Sequence, residues 1–379
     1  MSPSKRTIAL VGNTGFSLYH FRRHLVRGLL ERGHSLVAIF QDEGGFAERF
    51  REMGVTPHCI RIDHKGMNPV ADAHMAWTLW RLYRRLRPDV AHHFTIKPVL
   101  YGSMAAKLAR VPVVANTITG LGYAFEQDNA LQKVVRVLYR LALHGPPRVI
   151  FQNRDDMRLF VQRGLARPDQ SRVILGSGVD TLALSPAPRP HARRRVIFIG
   201  RMLWSKGVRE FVEAAQSVKL SHPEVKFTMV GGYSGGGSAS NPQAVPRQWI
   251  DQAVASGAVE WLGAMEHDQL MDLLDACDVC VLPSYREGLP MTLIEAAAKG
   301  KALIAADVPG CREAVRHGEN GFLVPPRDAK ALTDCLHGLL DDPGLVAAMG
   351  SASRRLAVET FDARAIIEQT LAVYGLRKS

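Results

Sequence analysis

The sequence predicts an α/β protein made of two doubly wound domains. Three observations predict it. Short β-rich runs alternate with helical patterns along the chain, as parallel sheets covered by helices require. The alternation occurs as two separate series. Between the series lies Ser185-Pro186-Ala187-Pro188-Arg189-Pro190-His191-Ala192-Arg193-Arg194, a Pro/Arg-rich stretch that reads as a linker.

In the first series the pattern predicts strands over Thr7 to Gly12, Ser35 to Phe40, Val90 to His93, Val113 to Asn116 and Arg148 to Gln152. Helices are expected between them, at Tyr19 to Arg32 and Ala71 to Leu86. The second series has strands at Arg195 to Gly200, Lys226 to Val230, Val259 to Leu262, Val279 to Leu282 and Ala302 to Ala305. The last segment, Ala363 to Leu376, reads as a helix. The expected division is a first domain at 1–184, a linker at 185–194, a second domain at 195–362 and a terminal helix within 363–379. In such domains the loops at the carboxyl ends of the strands take the ligands.

Composition bounds the function. The 379 residues suffice for two domains with substantial cores, and 46% hydrophobic with 22% charged residues is ordinary for a globular protein. No apolar run approaches the ~18–20 residues that span a bilayer. The first strand is too short for a signal-peptide core, which predicts a cytoplasmic protein. Five cysteines fit a reducing compartment; Cys277 and Cys280 form a lone CxxC without further ligands at zinc spacing, and are expected to be buried. The net charge of +12 points to phosphorylated substrates, anionic lipid or nucleic acid. No zinc-finger spacing or aromatic RNA-binding motif supports the last of these.

The most informative stretch is Pro283-Ser284-Tyr285-Arg286-Glu287-Gly288-Leu289-Pro290-Met291-Thr292-Leu293-Ile294-Glu295. A buried strand precedes it, and Thr292 to Lys299 reads as a helix stopped by Gly300. Glu287 then lies in the turn and Glu295 about two helical turns on. A helix start offers free N–H groups and partial positive charge, which suit a phosphate. Two carboxylates beside it suit the hydroxyls of a sugar or ribose. The implied ligand is a sugar nucleotide.

Gly200-Arg201-Met202-Leu203-Trp204-Ser205-Lys206-Gly207 follows the first strand of the second series. Arg201 and Lys206 share one loop, where two cations can neutralise the charge growing on a leaving diphosphate. No acidic DxD-type triplet stands in a suitable loop, so no metal is expected. In the first domain, Gly12-Asn13-Thr14-Gly15-Phe16-Ser17 forms a donor-rich turn, with Gly15 placed near the diphosphate and Ser17 near an acceptor. Asn116-Thr117-Ile118-Thr119-Gly120-Leu121-Gly122-Tyr123 is a second such loop, with Thr119 and Gly120 as acceptor contacts. Lys97, in His92-His93-Phe94-Thr95-Ile96-Lys97-Pro98, is a candidate for an acceptor phosphate. Val230 to Ser240 is a Gly/Ser-rich loop without the closing Lys-Ser/Thr of a phosphate cradle; it reads as a flexible surface loop near the base of the nucleotide.

The segment around Glu287 and Glu295 resembles the donor-site motif of the retaining, family-4-type glycosyltransferases of the GT-B fold. Trp261-Leu262-Gly263, Asp278 to Ser284, Asp307 to Glu313 and Asn320 to Val324 continue the resemblance in the same order, over nearly all of the second domain. The resemblance implies two Rossmann-like domains facing across a cleft, with the terminal helix crossing back to the first. It implies that Glu287 contacts the donor sugar and Glu295 the ribose. The backbone at Gly288, Leu289, Pro290 and Met291 would approach the sugar and phosphates, and Arg201 and Lys206 would clamp the pyrophosphate. It further implies that a diphosphate oxygen deprotonates the acceptor on the face the leaving group departs from. Many members place a functional His after the strand at Val90. Counted from Pro88-Asp89, that position falls on Phe94, which leaves His93, or His92, to take the role; alternation along a strand sends one of the two into the core.

The segment His92 to Pro98 resembles that of a subgroup that adds N-acetylhexosamine or related sugars to polyprenyl-diphosphate-linked saccharides. This implies a UDP-sugar donor and a lipid-linked acceptor in glycan assembly at the inner face of the cytoplasmic membrane. Two helices supply basic stripes for such a surface: Arg81, Arg84 and Arg85 with Trp77 and Trp80, and Lys133, Arg136 and Arg140 beside Val134, Val137, Leu138 and Leu141. Two other readings stay open. A sugar-nucleotide 2-epimerase shares the two-domain fold, and a basic nucleic-acid-binding protein would share the charge but leave the Glu pair without a task.

Overall fold

The computed structural model describes residues 5–63, 68–121, 130–187, 194–233 and 241–376. The chain divides into two compact units, Met1–Gly178 with Ala363–Ser379, and Val179–Asp362. The first boundary falls earlier than the 184 expected from composition. Val179 to Leu184 belongs with the second unit because the Arg354 guanidinium holds the carbonyls of Thr181 and Leu184, and Thr181 donates to Asp362.

The first unit has strands β1 (Thr7–Thr14), β2 (Ser35–Gln41), β3 (Thr56–Cys59), β4 (Val90–Phe94), β5 (Val113–Ile118), β6 (Arg148–Phe151) and β7 (Ser171–Val173). Its helices are α1 (Gly15–Glu31), α2 (Phe46–Glu52), α3 (Pro69–Leu86), α4 (Ser103–Leu108), α5 (Ala130–Leu143) and α6 (Arg154–Gln162). The strands form one parallel sheet in the order β3-β2-β1-β4-β5-β6-β7. Leu25, Val26 and Leu29 of α1 pack on one side with Leu10, Ala38 and Phe40. Met75, Leu79 and Tyr83 of α3 pack against Val11, Val37 and Ile39. Both faces are therefore covered, and every residue of β4 is buried.

The second unit has β8 (Arg195–Ile199), β9 (Lys226–Val230), β10 (Glu260–Trp261), β11 (Val279–Leu282), β12 (Ala302–Ala306) and β13 (Gly321–Val324). Helices α7 (Val208–Val218), α8 (Arg247–Ala255), α9 (His267–Asp275), α10 (Met291–Ala298), α11 (Cys311–Ala314), α12 (Ala329–Asp341) and α13 (Pro343–Thr360) connect and cover them. The sheet order is β10-β9-β8-β11-β12-β13. Cys277 and Cys280 are buried free thiols, and burial pushes the Cys277 thiol up to about 12. The chain ends in α14 (Ala363–Tyr374), whose Ile367, Leu371 and Tyr374 join the first unit's core. Among the described residues no helix is long and apolar enough to cross a membrane.

Candidate active site

The order of the second sheet fixes where a ligand can sit. From β8 the chain leaves through Gly200–Gly207 into α7 and on to β9; from β11 it leaves through 283–290 into α10 and on to β12. β8 and β11 are neighbours, with Val279 opposite Val196 and Val281 opposite Phe198. The two connections thus depart in opposite directions along the sheet and open a crevice at the carboxyl ends, the topological switch point of a doubly wound domain.

The two loops are locked together. The Tyr285 amide donates to the Ser205 carbonyl at 2.9 Å. Gly207 has φ +78°, and a Cβ there would lie 2.3 Å from the Pro283 carbonyl oxygen, so only glycine allows this approach. A third loop joins from β12: a Cβ on Gly310 would lie 2.3 Å from the Gly288 oxygen and 2.8 Å from that of Glu287. The backbone of Glu287-Gly288 is thereby held from two sides.

Held this way, the Glu287 carboxylate meets Lys206, with Nζ 2.5 Å from Oε1. Their side chains keep only 12% and 21% exposure, so the pair is shielded more than a surface salt bridge. Arg201 follows β8 and is exposed; among the described residues its guanidinium makes no ion pair. Pro290 caps α10 without a side-chain hydrogen bond, leaving the helix start, at Met291, open to an anion; Leu289 and Pro290 are buried beneath it. Glu295 lies one face further along α10, and its Oε1 is 3.1 Å from His267 Nε2 at the start of α9. No sequence signal singles out His267, because Glu266-His267-Asp268 reads as an ordinary helix start. Ser234–Ser240 of the Gly/Ser-rich loop lies outside the described residues.

The first unit has its own switch point, between β1 and β4. Gly15 opens α1 after β1, and a Cβ there would lie 2.6 Å from Phe46 Cβ, so packing alone demands glycine. The Ser17 amide donates to Thr14 Oγ1 at 3.2 Å and its hydroxyl to the Thr14 carbonyl at 3.0 Å, which closes the helix cap. Thr119 and Gly120 follow β5 and are partly exposed, Gly120 with φ +133°. Gly122 and Tyr123 of that loop lie outside the described residues. Thr95, after β4, takes φ +70°, a strained conformation for a β-branched residue.

Two expectations for this unit are corrected. His93 is fully buried: its Nε2 lies 2.9 Å from the Tyr83 hydroxyl and its Nδ1 2.9 Å from Asn116 Oδ1. Burial lowers it to about 4, and it sits in the core beneath α3 rather than in a reactive loop. His92 is no substitute, being buried between Thr117 and the Tyr374 hydroxyl. Alternation would have spared one of them in a one-sided sheet, but helices cover both faces here. Lys97 is also withdrawn: its Nζ is 2.7 Å from Asp72 Oδ1, and the Tyr101 hydroxyl donates to Asp72 Oδ2 at 2.9 Å. Asp72 is buried in the first turn of α3, and Lys97 supplies the cation that its burial calls for, so the placement of Lys97 is explained without a ligand.

Comparisons with known proteins agree with this geometry. The family model of glycosyl transferases group 1 matches residues 185–356, and that of glycosyl transferase 4-like proteins matches 7–153. The chain thus carries a group 1 glycosyltransferase domain and a glycosyl transferase 4-like domain. It is 28% identical to the N,N'-diacetylbacillosaminyl-diphospho-undecaprenol alpha-1,3-N-acetylgalactosaminyltransferase of Campylobacter jejuni, over 97% of this chain and 98% of that one. It is 25% identical to the UDP-Gal:alpha-D-GlcNAc-diphosphoundecaprenol alpha-1,3-galactosyltransferase of Escherichia coli, over 73% of each. In fold it is similar to Anabaena HepE, solved with UDP and glucose, with a TM-score of 0.78 at 19% identity over 98% of this chain and 99% of that one. The enzyme is a GT-B glycosyltransferase with two Rossmann-like units.

Proposed function

We propose that this glycosyltransferase moves a hexose or N-acetylhexosamine from a UDP-sugar to a polyprenyl-diphosphate-linked saccharide, with retention of configuration. The observation that carries the reading is the crevice between β8 and β11, where Arg201, the Lys206–Glu287 pair and the uncapped start of α10 converge. A leaving nucleoside diphosphate gains negative charge as the glycosidic bond breaks. Two cations and helix-end amides stabilise that charge without a metal. Glu287 faces the donor sugar and Glu295 the ribose. With His92 and His93 in the core, the diphosphate oxygen is the base that takes the acceptor's proton. The acceptor class follows the two transferases above, both named for undecaprenol-diphosphate-linked sugars.

The same reading places the enzyme on a membrane surface through its first unit. On α5, Val134, Val137 and Leu141 are 49%, 51% and 56% exposed, at a spacing of three and four residues. Lys133 and Arg140 flank them in solvent. On α3, Trp77 and Trp80 are exposed with Arg81, Arg84 and Arg85. Lys107 of α4 donates to the Leu141 and His144 carbonyls and ties α5 to its neighbour. An exposed apolar ridge between cations fits an anionic lipid interface.

The test is a panel of UDP-sugars incubated with a short polyprenyl-diphosphate-linked saccharide, with products read by mass spectrometry and the new anomeric centre by NMR. An α-linked product supports the reading. A new sugar nucleotide formed from donor alone would make the enzyme an epimerase instead, and an inverted centre would overturn the retaining mechanism.

A further inference from the structure

The geometry points to His267 as a positioning residue that aims the Glu295 carboxylate and so sets the enzyme's preference for a ribonucleotide over a 2′-deoxyribonucleotide. This rests on the reading that Glu295 binds the ribose.

Glu295 sits on α10 with Ile294, Ala296, Ala297 and Ala298 buried around it, and its own side chain is only 14% exposed. A carboxylate so placed needs a polar partner. His267 Nε2, at 3.1 Å from Oε1, is that partner. An ionised carboxylate only accepts, so the Nε2 proton is on the imidazole and points at Glu295.

The loop leading to His267 is tied to its neighbours. Trp261 Nε1 donates to the Gly231 carbonyl at 3.1 Å, and the Gly231 amide donates to the Gly263 carbonyl at 2.8 Å. Gly231 takes φ +147°, where a Cβ would lie 1.9 Å from the Gly200 oxygen. The loop that carries His267 is thus tied through Gly231 to the start of the Arg201 loop. A cation loop, a carboxylate and an imidazole from three connections are held in one frame.

The last torsion of a glutamate is broad, so an unaided carboxylate samples many orientations. Binding one oxygen to His267 sets the plane of the group and leaves Oε2 to accept from vicinal hydroxyls. A ribose offers a 2′ and a 3′ hydroxyl; a 2′-deoxyribose offers one. Discrimination between them therefore depends on Oε2 being aimed, which is what the imidazole does.

The experiment compares UDP with 2′-deoxy-UDP by titration calorimetry in wild type, Glu295→Ala, His267→Ala and His267→Gln. Wild type should prefer UDP, and Glu295→Ala should abolish the preference. His267→Ala should reduce the preference by roughly tenfold, the worth of one charge-assisted hydrogen bond. His267→Gln, whose amide can donate to the same oxygen, should restore most of it. If His267→Ala does not fold, His267→Leu fills the space without a donor and should behave the same way. An unchanged preference in Glu295→Ala would remove the ribose reading itself. A preference lost in Glu295→Ala but kept in His267→Ala or His267→Leu would overturn the role of His267 alone.

Discussion

Lys206 Nζ lies 2.5 Å from Glu287 Oε1, and the two residues come from loops that leave adjacent strands in opposite directions. In the proposed mechanism, a cation for the diphosphate is thus held by a carboxylate for the sugar. The carboxylate keeps the ammonium in place before the donor arrives, at the cost of part of its charge.

Removing Lys206 should therefore hurt chemistry more than binding. Lys206→Ala and Arg201→Ala should each lower kcat by roughly 10²–10³-fold, as loss of one group aimed at developing charge does. Glu287→Gln should lower kcat too, yet bind UDP at least as tightly as wild type, because Lys206 is then free of its carboxylate. Steady-state kinetics beside UDP calorimetry checks this. Near-normal turnover in the Arg201→Ala/Lys206→Ala double variant would end the clamp assignment.

The glycines that join the loops should be as sensitive as the charged residues. Gly207→Ala and Gly310→Ala each place a Cβ 2.3 Å from a carbonyl oxygen and demand a left-handed φ. Each should cost about 1–3 kcal/mol of local strain. Because the backbone that moves carries Glu287, activity should fall further than stability. Melting temperature and kcat measured on the same preparations separate the two effects.

How far the sequence revealed this enzyme depends on the kind of residue. The turns after β8 and β11 and the start of α10 were legible because their demands are local: a turn, a helix start and charges a few residues apart. The central strands were legible as runs of Val, Ile, Leu and Ala. The edge strands β3, β7 and β13 were not, because short edges such as Thr56–Cys59 carry little of that pattern. His93 and Lys97 were misread for one reason. Their partners, Tyr83, Asn116 and Asp72, lie on other elements, and no local spacing announces them. His267 was missed on the same grounds.

The buried histidines should give the fold an acid limit. Burial lowers His93 to about 4, against the unfolded value near 6.5, and holds His92 well below its ordinary value with help from Arg22. Between those values the unfolded chain binds the proton and the folded chain does not. Stability from His93 is therefore complete above about pH 6.5 and is lost as pH falls toward 4, by up to about 3 kcal/mol. His93→Gln should melt lower at pH 7 but show a smaller drop in melting temperature from pH 7 to pH 5. An equal drop in both proteins would remove His93 as the cause.

Metal removal tests the two-cation mechanism from another side. If Arg201, Lys206 and the start of α10 carry the leaving diphosphate, dialysis against a chelator should leave turnover unchanged. Added Mg²⁺ should change it by less than about twofold, the scale of ionic-strength effects on partly exposed charges. A loss of activity restored by a divalent cation would mean that the diphosphate is held by a metal instead.

The exposed ridge on α5 should decide whether the first unit meets a membrane. Val134, Val137 and Leu141 line one stripe, and each buries apolar area if the helix lies on lipid. The flanking Lys133 and Arg140 each add about 1 kcal/mol near an anionic surface, an attraction that salt screens. Wild type should co-sediment with vesicles containing anionic lipid and be released as salt rises. Val137→Asp should weaken binding even at low salt, because it places a carboxylate within the ridge, whereas Lys133→Gln/Arg140→Gln should mainly remove the salt dependence. Neither change touches the second unit, so turnover on a short, water-soluble acceptor should persist. Should wild type ignore anionic vesicles at low salt, the ridge would have another partner and the lipid-linked acceptor would need a different route to the enzyme.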